Sequence, residues 1–92
     1  MLEEVKAVLR VALQKHLAPA VVKDVMVFPE SDSDGEPILR VQVVVDPSGP
    51  KLNADKVFFA IGVARSALAA INETRFPLLS FPSSDEVPGV AA

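Results

Sequence analysis

The residues of this 92-residue chain that could act on a substrate or hold an ion are few and poorly spaced for it. Its one histidine, His16, has no serine, cysteine or second histidine at a motif spacing, so neither a nucleophile–base pair nor a metal cluster can be built around it. His16 falls near the expected end of a helix, where an imidazole interacts well with the dipole, and a capping or packing role is predicted. The stretch from Glu30 through Asp32 and Asp34 to Gly35 imitates the opening of an EF-hand calcium loop. The match then fails: the twelfth loop position, which needs a bidentate glutamate, is Val41, the first is Glu30 where aspartate is expected, and the flanks read as strands where helices are needed. A solvated hairpin loop is predicted instead. The 12 carboxylates concentrate in loops and helix starts without forming an acid–base pair. Gly35, Gly49, Gly62 and Gly89 are too scattered for a phosphate-binding loop. No catalytic residue, metal ligand or cofactor is assigned, and the chain is read as non-enzymatic.

The elements that would position any site follow from periodicity. Leu2, Val5, Leu9, Ala12, Leu13 and His16 form a helical stripe, with Glu3 and Glu4 at its start, Lys15 and His16 at its end, and Pro19 stopping it. Val21 to Phe28 and Ile38 to Asp46 are rich in β-branched residues. The second alternates, with Leu39, Val41, Val43 and Val45 one way and Arg40, Gln42, Val44 and Asp46 the other. The Pro- and Asp-rich segment 29–37 joins them as a hairpin, so antiparallel pairing is predicted. Asn53 is a plausible N-cap for a second helix running to about Glu73. Phe76 to Phe81, carrying Pro77 and followed by Pro82, suits a short edge strand. The predicted architecture is a single α+β domain over 1–82 in the order α-β-β-α-β, a small mostly antiparallel sheet of two to three strands with two helices packed on one face. Residues 83–92 are predicted to be a flexible tail.

Composition narrows the function classes. A net charge of −3 and a pI near 5.0 disfavour a strong grip on phosphate backbones. The order helix, two strands, helix resembles RNA-binding KH domains in topology alone: their G-x-x-G loop is missing, and no tyrosine or tryptophan is present for base stacking. A KH-like nucleic-acid-binding domain is kept as the alternative reading. The acids at the N-terminus do not fit a signal peptide, and no run nears the roughly 20 apolar residues of a membrane span, so a cytoplasmic protein is expected. The absence of cysteine is compatible with a reducing compartment.

Half of the residues are hydrophobic and the mean hydropathy is +0.36, high for so small a domain. The excess centres on the second helix. On a wheel of 100° per residue, Val57, Ile61, Ala64, Leu68 and Ile71 gather on one face, the expected seat against the sheet. Phe59 and Val63 project to the other side, with Phe58 at the boundary. A helix apolar all round is covered twice, either by the first helix or by another chain. Gly62 fits a close approach of another backbone. Partner binding by a second copy or another protein is therefore predicted at Phe58, Phe59, Gly62 and Val63.

The segments Asp34-Gly35-Glu36-Pro37-Ile38-Leu39-Arg40-Val41 and Arg75-Phe76-Pro77-Leu78-Leu79-Ser80-Phe81 resemble small uncharacterised bacterial proteins of toxin–antitoxin-like gene pairs, a likeness covering roughly Leu2 to Phe81. The resemblance implies a non-enzymatic, antitoxin-like protein that binds and masks another protein, and it carries over no functional residue.

Overall fold

A computed structural model describes residues 2–87. Its elements are α1 (Leu2–Leu17), β1 (Val22–Ser31), β2 (Pro37–Val45), α2 (Ala54–Ala69) and β3 (Phe76–Ser80), followed by a 3-10 turn over Ser84–Glu86. The fold is α+β in the order α-β-β-α-β, with a three-stranded mixed sheet.

α1 seats through Val5, Leu9, Leu13 and Leu17, all buried and spaced every fourth residue. Where it ends, the Gln14 side chain clamps the turn into β1. Its Nε2 donates to Ala20 O at 2.9 Å, and Val22 N donates to its Oε1 at 2.8 Å. Both bonds satisfy backbone groups of a part-buried turn, so Gln14→Leu is expected to cost about 1 to 3 kcal/mol by leaving a donor and an acceptor unpaired. Urea denaturation of the variant checks this; an unchanged midpoint contradicts it.

β2 is the central strand. It pairs antiparallel with β1, placing Val27 opposite Val41 and Val25 opposite Val43, and parallel with β3, placing Leu39 opposite Pro77 and Val41 opposite Leu79. The third strand therefore adds to the free edge of β2 through the α2 crossover. Val25, Leu39, Val41 and Val43 meet the buried stripes of α1 and α2 in one core, with Val27 and Leu79 packed against it. On the other face the Arg40 guanidinium lies 4.3 Å above the Phe28 ring and its Nε donates to Glu30 at 2.8 Å. β1 runs past Phe28 and includes Pro29, which shortens the hairpin loop to residues 32–36. Inside that loop Asp32 Oδ1 accepts from Asp34 N and Glu36 N, each at 2.9 Å, and Gly35 takes the left-handed conformation at φ 83°.

α2 opens on Asn53, whose side chain accepts from Asp55 N and Lys56 N at 2.9 and 3.2 Å. Its regular turns stop at Ala69, short of the expected Glu73. Asn72 adopts φ 60°, while Glu73 N donates to Leu68 O at 2.9 Å and Asn72 N to Ala69 O at 3.0 Å, the paired bonds of a Schellman close. The buried arc is also rotated from expectation. Ala60, Ala64 and Leu68 are the fully buried residues; Ile61, expected in the core, is 36% exposed, and Val63, expected outside, is half-buried against the core. The helix must face the sheet and α1 together, and small alanines along that arc permit the close approach.

The chain after β3 is tied to the sheet: Val45 N donates to Pro82 O at 2.9 Å, and Ser84 is only 3% exposed. Of the tail expected over 83–92, Ser83 bridges to Val45 and Ser84 is buried, while 88–92 lie outside the described residues.

Candidate functional site in the outer face of the helical layer

α1 and α2 run antiparallel, joined at one end by His16, whose Nε2–H donates to Lys56 O at 2.8 Å, and by Lys56 Nζ, which donates to Ala18 O. A carbonyl can only accept, so the ring nitrogen carries the proton. His16 thus tethers two helices, as a packing residue does.

Above this tether, the solvent side of the helix pair carries a mainly apolar depression. A groove of about 970 Å³ is lined by Ala12, Lys15 and His16 of α1 and by Phe59, Gly62 and Val63 among others of α2. It continues past Ala12 and Ala67 into a hollow of about 480 Å³ walled by Ala7, Val8, Val11, Ala70 and Ile71. Phe59 stands at one end, 61% exposed, and packs its ring edge to face at 5.1 Å against that of Phe58, which is 76% exposed. Leaving two phenylalanines in water forgoes about 1.5 to 3 kcal/mol each of burial energy.

Of the four residues singled out from sequence, Phe58, Phe59 and Gly62 are exposed, and Val63 lines the groove while leaning on the core. Phe58, placed at the boundary by the wheel, is the more open of the two rings. A side chain added at Gly62 would meet nothing within 4 Å, so no backbone of this chain explains the glycine. The α1 half of the surface was missed. Val11 is 72% exposed and Val8 lines the hollow, although only the buried stripe of that helix had drawn notice. Two valines lying off the stripe at a spacing of three were the available signal.

A second cavity, about 380 Å³, sits where α2 turns into β3 and includes Arg65, Glu73, Arg75 and Phe76. Glu73 and Arg75 form a two-pronged ion pair with both N–O distances at 2.9 Å, which holds the Glu73 carboxyl down to about 2 and raises the Arg75 guanidinium. Arg65 stacks on Phe76 at 5.4 Å. The pair is neutral overall and closes a turn, a structural arrangement.

Among the described residues no group of three or more His, Cys, Asp or Glu side chains could hold a metal ion, and no helix is long and apolar enough to cross a membrane. Comparison with protein-family models, curated proteins and solved structures finds no match to this chain.

Proposed function

We propose that this chain is a cytoplasmic, non-enzymatic protein-interaction domain whose docking surface is the outer face of the α1–α2 layer. The supporting observation is the continuous groove running from Phe59, with Phe58 exposed beside it, to Val8 and Val11, mainly apolar with Lys15, His16 and Ser66 along it, on a domain whose core is already closed beneath it. An exposed pair of aromatics beside small residues is the composition of an anchoring site that buries large side chains at its centre. The resemblance to proteins of toxin–antitoxin-like gene pairs agrees with this reading, since masking a partner requires a surface and no chemistry.

Nucleic-acid binding draws less support. Of the nine lysines and arginines, Lys6 and Arg10 share Asp24, Arg40 is held by Glu30 and Arg75 by Glu73; the remaining five are outweighed by the acids of a chain whose net charge is −3, which disfavours a grip on phosphates.

The test is retrieval of the tagged chain after co-expression with its neighbouring gene, beside a Val11→Asp/Phe59→Asp variant. The wild type is expected to bring down a stoichiometric chain, its own second copy or another protein, and the variant to lose at least about tenfold of it, as anchors worth about 2 kcal/mol would require. A wild type that is monomeric at high concentration and retrieves nothing in stoichiometric amount overturns the reading.

A further inference from the structure

We infer that the occupant of this face is a second copy of the chain, docked with the two α1 helices antiparallel across a two-fold axis. The inference rests on the helical face being the docking surface, and it adds the partner and the register.

The order of side chains along α1 carries it. Glu4, Val8, Val11 and Lys15 follow one another at spacings of four, three and four, so they share one face. That face points outward: Glu4, Val11 and Lys15 are exposed and Val8 is half-buried beside α2. Read from either end, the stripe is charge, valine, valine, charge, symmetric about the point between Leu9 and Arg10. Reversing the helix exchanges Val8 with Val11, Ala7 with Ala12, and Glu4 with Lys15. A two-fold dimer needs a surface complementary to itself, and this one is. The rotation sets the valines of the two copies together, lets Ala7 and Ala12 bring the backbones close, and places Glu4 of each copy against Lys15 of the other.

The charges are available for this. Lys6 and Arg10 are engaged by Asp24 within the chain, whereas among the described residues neither Glu4 nor Lys15 takes part in an ion pair. Because α1 and α2 lie side by side, the same rotation lays α2 on α2, with Gly62, Ser66 and Ala70 in the interface. Two 16-residue helices side by side span a face on the order of 24 by 20 Å, about 480 Å², which is below the roughly 800 Å² per partner of a standard interface and in the range of weak, transient ones. A weak dimer follows, with a dissociation constant on the order of 10 to 100 µM.

The experiment is sedimentation velocity on the full chain from about 1 µM to about 1 mM, a range bracketing that constant. Glu4→Lys is expected to weaken the dimer about tenfold or more, because two symmetry-related attractions become repulsions. It does so although the net charge moves from −3 to −1, which by bulk repulsion alone would favour association. Lys15→Glu weakens it similarly. Glu4→Lys combined with Lys15→Glu returns the net charge to −3 and restores the dimer to within about threefold of wild type. Circular dichroism confirms that each variant keeps its helices, since both reversals oppose the helix dipole. A wild type monomeric at about 1 mM overturns the inference, and so does a dimer indifferent to the single reversals. The underlying reading survives the first outcome if a different chain is retrieved through the same face, and the second if Phe59→Asp still dissociates the dimer.

Discussion

Leu13→Ala is expected to lower the unfolding free energy by about 3 kcal/mol, a large part of the modest total available to so short a chain. Leu13 is fully buried where α1 meets the sheet and α2, between Leu9 and Leu17 on the same stripe. Truncation removes transfer energy and leaves a void, because Val25, Val41 and Val43 are held by strand pairing and cannot collapse into it. Val11→Ala, two positions away, is expected to change stability by less than about 0.5 kcal/mol, since its side chain is 72% exposed and alanine is the better helix former. Urea denaturation of the two variants reads the contrast directly. Equal losses at both positions would mean that α1 is seated on a different face.

Acidification should remove about 2 to 3 kcal/mol through Glu73 alone. The Arg75 side chain and backbone N–H hold the Glu73 carboxyl down from 4.5 to about 2. The folded chain therefore resists the proton that the unfolded chain accepts. The contribution is fully present above pH 4.5, declines as the pH falls through the folded value, and is gone below about 2. Asp46 and Glu86, lowered chiefly by bonds from Ser48 and Ser83, act in the same direction from the surface. Comparing wild type with Glu73→Gln isolates the ion pair: their stability difference should be largest near neutral pH and shrink toward zero near pH 2. A difference independent of pH would show that the carboxylate charge does not matter to this turn.

The element order was legible because each strand and helix announces itself locally: Leu39, Val41 and Val43 alternate, Val5, Leu9 and Leu13 recur every fourth residue, and Asn53 caps. The place of β3 beside β2 and its parallel direction were not, since they depend on how the α2 crossover returns. The rotation of α2 was hidden for a related reason. Hydrophobicity ranks Ile61 above Ala60, but a helix wedged against two neighbours buries its smallest residues where clearance is least. The candidate surface was half legible. Phe58 and Phe59 stand out by size on a helix with no polar face, whereas Val8 and Val11 acquire meaning only once α1 is known to bury the stripe of Leu9 and Leu13 alone.

The placement of the prolines bears on how the molecule meets others. Pro29 lies in β1, which also carries an irregularity between Val22 and Asp24, and Pro77 lies in the five-residue β3. Both outer rims of the sheet thus include a residue that cannot donate a ladder bond, which interrupts the row of donors an incoming strand would need. Growth of the sheet by recruiting further strands, the route to fibrils, is discouraged on either side. Sheet extension is checked at three strands, so the exposed apolar side chains of α1 and α2 lie away from any edge that could recruit a strand.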